Sequence, residues 1–372
     1  MAVAVPNQDV AVERLEVSAY VIPTDGAESD GTLEWDSTTI IIVELEGGGE
    51  RGLGYTYGDA AVGVLIESKL APEVAGADAL APPAAWASMQ AAIRNVGQPG
   101  VGAMAVSAVD VALWDLKARL LGVTLADALP RFHSRVPIYG SGGFTSYSDE
   151  RLREQLAGWA EQGILGVKLK VGRDPDRDPE RVAAARAAIG AEVKLMVDAN
   201  GAYSPKQALQ WAERFRDWDV TYLEEPVSSD DLQGLRRVRD RAPAEISIAA
   251  GEYGWGLDYF QRMLDAKAVD ILQADVTRCG GITGLLRVDA LCRARHVPFS
   301  AHCAPAISAH ACAAVETLEH LEYFHDHVRI EGLLFDGTLD PRDGYLEPDR
   351  ERPGLGLELR RSDAAEFETR WQ

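Results

Sequence analysis

The fold is decided by a stretch in the middle of the chain, where residues 167–203 read VKLKVGRDPDRDPERVAAARAAIGAEVKLMVDANGAY. Two short apolar runs, at residues 167–171 and 193–197, enclose a longer segment rich in Ala, Arg and Glu. Short apolar runs bounded by turn signals are typical of buried strands, and the segment between them is typical of a helix. This stretch therefore predicts one strand–helix unit followed by the strand of the next.

The same alternation continues from residue 131 onward. Successive apolar runs begin about 23 to 30 residues apart, which is the length of one βα unit. The runs lie at residues 137–139, 167–171, 193–197, 221–223, 246–250, 271–272, 297–299 and 321–323. Parallel strands need helical crossovers, and both faces of the sheet must be covered. The sequence thus predicts an α/β fold whose residues 131–332 form a (β/α)8-type, modified TIM barrel.

The first third of the chain has a different, antiparallel character. Residues 15–21 alternate apolar and polar side chains, and residues 39–45 form a second β-branched run. Between them, residues 23–36 are rich in Gly, Asp and Glu and predict a long loop. Residues 104–121 show helical spacing and predict an amphipathic helix. We expect an α+β capping domain at residues 1–130, with residues 333–372 packing back on it.

Composition and charge exclude several classes of function. The 372 residues include 37 Lys and Arg against 58 Asp and Glu, a formal net charge of −21, which disfavours nucleic acid or an anionic membrane as a partner. Hydrophobic residues at 47% and charged residues at 26% are typical of a globular protein. No signal peptide or membrane span is recognised, and the four cysteines lie within one stretch, residues 279–312, without a CxxC pair. We therefore expect a cytoplasmic protein without a disulfide framework.

A charged residue stands at the end of seven successive apolar runs. Active sites of such barrels lie at the C-terminal ends of the strands, so these residues are candidates for one common site. In chain order they are Lys168 and Lys170, Asp198, Glu224, Glu252, Asp275, His302 and Glu322. Each one alone is typical of a helix cap or a surface ion pair. Their recurrence at the same place in consecutive units indicates function.

Three of these residues, Asp198, Glu224 and Glu252, are carboxylates on neighbouring strands. Hard oxygen ligands without Cys or His favour Mg²⁺ over zinc. Lys168 and Lys170 are two apart on one strand, so both side chains point to the same face. Their mutual repulsion and a nearby divalent cation are expected to lower the pKa of at least one of them, as a base near neutrality requires.

Asp275 and His302 lie one βα unit apart, so they can pair across adjacent strands. The carboxylate would fix the imidazole tautomer and raise its basicity. Lys170 and His302 would then place a base on each side of the metal. This arrangement predicts abstraction of a proton from the carbon next to a carboxylate, with the metal holding the carboxylate oxygens as they become an enediolate.

At this point the sequence resembles the enolase superfamily, mandelate racemase subgroup. The resemblance runs from SAVDVALWDLKARLLG to the closing PGLG through the motifs GVKLKVG, MVDANGAY, YLEEPV, AAGE, LQADVTRCGG and SAHCAP. It implies metal binding by Asp198, Glu224 and Glu252, bases at Lys170 and at His302 paired with Asp275, and substrate contact by Lys168 and Glu322. It also implies Mg²⁺ as the cofactor, a small carboxylate as the substrate and a homo-oligomer.

The resemblance leaves the outcome of the first step open. Dehydration of a sugar acid to a 2-keto-3-deoxy acid, with His302 as general acid, is the outcome we favour. Return of the proton to the opposite face would instead racemise or epimerise a 2-hydroxy or related acid. A metal-binding barrel without turnover is an alternative from a different class, but the intact bases and ligands count against it.

Weaker indications concern residues just beyond the strand ends. The candidates for substrate contact are Asn200, Arg278, Tyr253 and Trp255, and Asn200 is about as well explained by a structural role. Glu225 is expected to point away from the site and form an ion pair. The loop at residues 23–36 is expected to close over the site. Because it holds acidic residues and no Lys or Arg, it suits hydroxyls or a cationic group better than a second substrate carboxylate. An acidic loop that is simply solvated explains the same residues better, so no substrate is drawn from it.

Overall fold

The computed structural model describes residues 9–369, which form an antiparallel sheet, a closed barrel and helices around both. The strands are β1 (Arg14–Ser29), β2 (Glu34–Gly47), β3 (Glu50–Tyr57), β4 (Val136–Gly142), β5 (Gly166–Lys170), β6 (Lys194–Asp198), β7 (Val220–Glu224), β8 (Ser247–Ala250), β9 (Ile271–Ala274), β10 (Phe299–Ala301), β11 (Leu318–Phe324), β12 (Phe335–Asp336), β13 (Tyr345–Leu346), β14 (Glu358–Leu359) and β15 (Glu368–Thr369).

The helices divide between the two parts of the fold. Those before the barrel are α1 (Ala61–Leu65), α2 (Ala71–Val74), α3 (Pro82–Ala92), α4 (Val101–Leu120) and α5 (Leu125–Ala128), with a π-helical turn at Ile66–Leu70. Those of the barrel and tail are α6 (Asp149–Glu161), α7 (Asp178–Ile189), α8 (Pro205–Phe215), α9 (Leu232–Arg239), α10 (Leu257–Asp265), α11 (Gly281–Arg295), α12 (Pro305–Cys312), α13 (His325–Leu334) and α14 (Arg361–Ala364).

Strands β4 to β11 form the predicted barrel. Each pairs in parallel with the next, and β11 pairs in parallel with β4, so the ring is closed. The eight apolar runs of the sequence coincide with these strands or, for β10, overlap its first residue. Parallel strands covered on both faces have no polar side to show, which is why their apolar runs are continuous and easy to recognise. The predicted fold class is therefore confirmed.

The antiparallel sheet has the order β15-β1-β2-β3 and forms the cap. The prediction of a long loop at residues 23–36 is wrong, because most of these residues belong to the long strands β1 and β2, which form a hairpin with a short turn between Ser29 and Glu34. Their pairing shifts register between Pro23 and Glu28 and then resumes as Glu28 faces Trp35. Residues 23–29 are too poor in apolar side chains to predict a strand, but backbone pairing across a bulge holds them extended.

Helix α4 exists as predicted, but it is not amphipathic. It is buried along nearly its whole length because it lies between β3 and α11. A Cβ atom built on Gly54 of β3 would lie 2.2 Å from the carbonyl oxygen of Ala108, so only glycine permits this close approach. On the other side, Asp110 of α4 accepts a hydrogen bond from Thr283 Oγ1 at 2.6 Å. The polar residues of α4 thus have buried partners rather than solvent.

Asp110 makes stability depend on pH. Burial raises the pKa of its carboxyl to about 7, whereas the unfolded chain releases this proton near pH 4. The protonated Asp110 therefore makes its full contribution to the free energy of unfolding below about pH 4. This contribution is lost, by up to about 4 kcal/mol, as the pH rises to about 7. Because Asn at this position cannot ionise, the free energy of unfolding of Asp110→Asn should fall less than that of the parent as the pH rises from about 5 to about 8. Urea titrations at several pH values measure both changes. Equal losses in the two proteins would contradict this reading of Asp110.

The C-terminal residues contribute to three places in the fold. β15 extends the cap sheet beside β1, β13 pairs with β4 of the barrel, and β14 pairs with β12. All four cysteines are free and buried. Within residues 9–369 no helix is both long and apolar enough to cross a lipid bilayer.

Candidate active site

The strand ends bring the predicted residues to one level of the barrel. The register pairs Lys170 of β5 with Asp198 of β6, and Asp198 with Glu224 of β7. Glu252 follows β8 after Gly251, whose φ is +139°. A Cβ on Gly251 would lie 2.0 Å from the carbonyl oxygen of Gln273, so glycine is needed for the turn that directs Glu252 inward.

Asp198, Glu224 and Glu252 form a buried group that could hold a metal ion. One carboxylate oxygen of each lies within 4.8 Å of the others. Glu224 Oε1 is buried and has no hydrogen-bond partner. Burial, followed by the charge of Asp198, raises the pKa of Glu224 to about 8. An orphaned oxygen among three buried carboxylates fits a hard divalent cation, because such an ion supplies the missing positive partner.

The two lysines of β5 form ion pairs with two of these carboxylates. Lys168 Nζ lies 2.5 Å from Glu224 Oε2 and 2.8 Å from Glu322 Oε1, and its side chain is fully buried. Lys170 Nζ lies 2.5 Å from Asp198 Oδ2. Lys168 therefore links the metal-ligand candidates to the last barrel strand, and Lys170 stands between Asp198 and the open site.

The protein's own groups raise the pKa of both lysines, so the predicted lowering, which also invoked a divalent cation, stays a prediction. Burial alone would lower the pKa of Lys170, but the charge of Asp198 more than offsets it, and the net direction is upward. The pKa of Lys168 is likewise raised, since Glu224 and Glu322 outweigh its burial. The sequence showed that the two lysines are neighbours, but it did not show that a carboxylate oxygen lies within hydrogen-bond distance of each ammonium group.

The predicted pair of Asp275 and His302 is present. His302 Nδ1 lies 2.8 Å from Asp275 Oδ2, and Asp275 Oδ1 accepts hydrogen bonds from the backbone and side chain of Thr277 at 2.6 and 2.7 Å. Burial would raise the pKa of Asp275, but the His302 hydrogen bond and Arg278 hold it below its usual value. An ionised Asp275 therefore orients the imidazole so that Nε2 faces the site.

His302 Nε2 faces Glu252 Oε2 at 3.1 Å and Glu322 Oε2 at 3.5 Å. Burial alone would lower the pKa of His302, but Cys303, Glu252 and Glu322 raise it well above its usual value. The imidazole is thereby favoured in its protonated form. Such a group is suited to donate a proton before it accepts one.

These side chains border a cavity of about 340 Å³ between the barrel and the cap. Lys170 reaches it from β5 and His302 from the end of β10, on the opposite side of the ring. Asn200, Tyr253 and Arg278 also line it, whereas Trp255 is not among its lining residues. The cavity is where a substrate would meet both groups.

The tip of the β1–β2 hairpin closes the cavity from the cap side. Asp30, Leu33 and Trp35 line it, and Thr32 Oγ1 donates to the carbonyl oxygen of Asn200 at 3.3 Å. A Cβ on Gly31 would lie 2.3 Å from the carbonyl oxygen of Ala199, so the tip lies directly on the barrel. The expectation that this segment covers the site thus agrees with its position, although it is a hairpin rather than a loop.

Sequence reasoning missed most of the cap side of the cavity. The missed lining residues are Ser37, Thr38, Thr39, Tyr57, Gly58, Met104, Cys303, Phe324 and His327. Cys303 follows His302 and Phe324 ends β11, but the others lie outside the barrel strand ends, so the rule that found the candidate site residues did not apply to them. The prediction that Glu225 points away and forms an ion pair is also wrong. Its side chain is buried beside Asp198, Glu224 and Glu252, and its Oε1 has no hydrogen-bond partner among the described residues.

Comparison with known families identifies both parts of the chain. The family described as enolase C-terminal domain-like matches residues 151–364, and the mandelate racemase / muconate lactonizing enzyme N-terminal domain matches residues 29–129. The chain belongs to the mandelate racemase subgroup of the enolase superfamily. In this enolase-superfamily protein the two matched segments correspond to the barrel with its tail and to the cap.

Relatives of this enolase-superfamily protein include enzymes of several reaction types. The 3,6-anhydro-alpha-L-galactonate cycloisomerase of Streptomyces coelicolor is 30% identical over 361 residues, 94% of this chain and 97% of the relative. A mandelate racemase/muconate lactonizing enzyme-like protein from Rubrobacter xylanophilus is 69% identical, with a TM-score of 0.95, and the match covers 96% of this chain and 100% of that one.

A third relative was solved with ligands. L-talarate/galactarate dehydratase from Salmonella typhimurium, liganded with Mg and L-lyxarohydroxamate, is 27% identical, with a TM-score of 0.89. The match covers 97% of this chain and 94% of that one. The superfamily relatives of this chain thus include a cycloisomerase and a magnesium-containing dehydratase.

Proposed function

We propose that this protein is a Mg²⁺-dependent enzyme that removes the proton next to a carboxylate and most readily dehydrates a sugar acid to a 2-keto-3-deoxy acid. The observation that carries the proposal is the placement of Lys170 and His302 on opposite sides of one cavity, with three buried carboxylates beside them. The dehydratase and cycloisomerase relatives support the reaction class.

The carboxylates of Asp198, Glu224 and Glu252 would hold the Mg²⁺. When bound, the ion supplies positive charge next to the substrate carboxylate and stabilises the negative charge that develops there. Lys168, held by Glu224 and Glu322, adds a fixed positive charge on the same side of the site. Glu322 in turn lies between Lys168 and His302, so it positions both groups.

Lys170 is the base for the first step. In its unprotonated form, Nζ accepts the proton from the carbon next to the carboxylate, and the electron pair of that C–H bond moves toward the carboxylate. Lys170 borders the cavity, whereas Lys168 is fully buried outside its lining, and this difference supports Lys170 rather than Lys168 as the base. Asp198 then stabilises the ammonium that forms, since its oxygen is 2.5 Å from Nζ.

His302 completes a dehydration. Its protonated Nε2 donates to the hydroxyl on the next carbon, the C–O bond breaks, and water leaves. The resulting enol then takes up a proton to become the 2-keto acid. Asp275 stabilises the imidazolium before this step and keeps Nδ1 from acting as the donor.

Racemisation or epimerisation is the second candidate, and the same opposed geometry favours it. If His302 returns a proton to the face opposite Lys170, the configuration at that carbon is inverted. The two reactions share the first step and differ in whether a hydroxyl stands where His302 can protonate it.

Proton exchange in D₂O tests both candidates. With Mg²⁺ present, a library of 2-hydroxy acids and sugar acids is expected to contain a member whose α-proton exchanges, as followed by NMR. A 2-keto product identifies a dehydratase, and recovery of both epimers identifies a racemase. EDTA should stop the exchange and added Mg²⁺ should restore it. If no member exchanges although calorimetry shows bound Mg²⁺, both candidates fail for these acids.

A further inference from the structure

The charges around the cavity restrict the substrate further than the reaction does. Six carboxyl groups and four cations lie at its barrel end or buried just behind it: Asp198, Glu224, Glu225, Glu252, Asp275 and Glu322 against Lys168, Lys170, Arg278 and the protonated His302. Each cation is already engaged by at least one carboxylate. A divalent cation would balance the excess of negative charge and leave no surplus for a second substrate carboxylate.

The cations cannot be redirected without cost. Arg278 Nε lies 3.5 Å from Asp275 Oδ2, and Nη1 donates to the carbonyl oxygen of Glu252 at 3.3 Å. Moving the guanidinium away would take a positive charge from the buried carboxylates of Asp275 and Glu252, and separating buried opposite charges is unfavourable even though His302 and Thr277 would still bond Asp275. Among the described residues that line the cavity, only Lys170 and Arg278 are Lys or Arg.

The cap end of the cavity also disfavours an anion. Asp30 lines it, and its Oδ1 accepts the backbone N–H groups of Thr32 and Leu33, both at 2.6 Å, so the carboxylate is fixed in place. Trp35 and Phe324 add aromatic surface beside it. A second substrate carboxylate would meet a like charge and apolar rings here rather than a cation.

One polar group at this end is suited to a neutral oxygen. The Ala304 backbone N–H donates to His327 Nδ1 at 3.3 Å, so the ring proton of a neutral His327 must be on Nε2. Burial lowers the pKa of His327 to about 3, which keeps the ring neutral. The ring is stacked on Tyr57 at a centroid distance of 3.5 Å. Within residues 9–369 no partner is found for Nε2, so its N–H is available to a molecule in the cavity.

We infer that the substrate is a monocarboxylate of the aldonate type, whose chain ends in a neutral hydroxyl or ether oxygen that accepts a hydrogen bond from His327 Nε2. A diacid of the aldarate type is rejected because Asp30 repels its far carboxylate and, among the described residues that line the cap end of the cavity, none is Lys or Arg. This inference rests on the proposed function and deepens it.

Matched pairs of acids test the inference. D-Gluconate and D-glucarate, or D-galactonate and galactarate, differ only at the far carbon. We expect the preferred monoacid to exceed its diacid at least about 100-fold in kcat/KM for α-proton exchange with Mg²⁺, and in affinity by calorimetry. Asp30→Asn keeps an oxygen for the hairpin N–H groups and removes the charge. It should therefore lower the ratio of kcat/KM for the monoacid to kcat/KM for the diacid at least about 10-fold.

Two variants of His327 test the hydrogen bond. His327→Phe keeps the aromatic stack on Tyr57 and removes the donor, so KM for the monoacid should rise about 10- to 100-fold with a smaller change in kcat. His327→Gln retains an N–H donor and should recover part of the loss. Equal KM values in all three proteins would overturn the role of His327.

The failure of this inference is distinguishable from failure of the proposed function. If matched diacids exchange and bind as well as monoacids, the inference is wrong and the proposed function stands. If no acid exchanges, the proposed function fails, and the calorimetric ratio of monoacid to diacid still decides whether the cavity selects a single carboxylate.

Discussion

Replacing Lys170 with alanine is expected to lower exchange of the α-proton on one face of the substrate by about 10²- to 10⁴-fold, because a positioned base contributes this much. His302→Asn should do the same for exchange on the opposite face. Each variant leaves the other group in place, so a racemase substrate would lose one stereochemical sense of exchange per variant. NMR in D₂O with each enantiomer separately measures the two rates.

Each variant serves as the control for the other. Asn at residue 302 keeps a polar side chain near Asp275, and Mg²⁺ binding measured by calorimetry verifies that the carboxylate group is intact in both proteins. For a dehydratase substrate, His302→Asn should block loss of the hydroxyl and Lys170→Ala should block exchange. If neither variant alters exchange on either face, the assignment of the two groups is wrong.

The second large effect concerns stability. Lys168→Met is expected to reduce the free energy of unfolding by about 3 to 5 kcal/mol in the absence of added metal, since it leaves buried carboxylates without their shared cation. Met fills most of the same volume, so the loss reports charge rather than packing. Denaturant titrations of the parent and the variant measure the difference.

A matched variant separates this effect from general damage to the core. Lys168→Met combined with Glu322→Gln removes one of the stranded charges, so it should recover part of the stability lost in the single variant. If Lys168→Met is as stable as the parent, the carboxylates are accommodated without Lys168, and the ion-pair account is refuted.

The barrel was predictable from the sequence because its strands are short and apolar on both sides. The cap was harder. Residues 23–29 extend as a strand only because β2 pairs with them across a register shift, and no local preference of Pro23 or Asp25 reveals that partner. The helix around Asp110 was found, but its burial was not, because the hydrogen bond to Thr283 comes from a segment far along the chain.

The candidate site likewise contains residues that the sequence predicted and residues that it missed. Asp198, Glu224 and His302 were found because each ends a strand or directly follows one, and the barrel brings all such ends together. Tyr57 and His327 were missed because they reach the cavity from the cap and from the helix after the last strand. Periodicity cannot show which surfaces of two separate layers will face each other.

The ion pair between Lys168 and Glu322 has a consequence for how the protein is made. Lys168 belongs to the second barrel strand and Glu322 to the last, so a ribosome must deliver almost the whole chain before the two charges meet. Up to that moment, the ammonium of Lys168 lacks one of the two closest neighbours that it has in the finished protein. A chain that ends before Glu322 therefore lacks the ion pair that joins β5 to β11 at the candidate site.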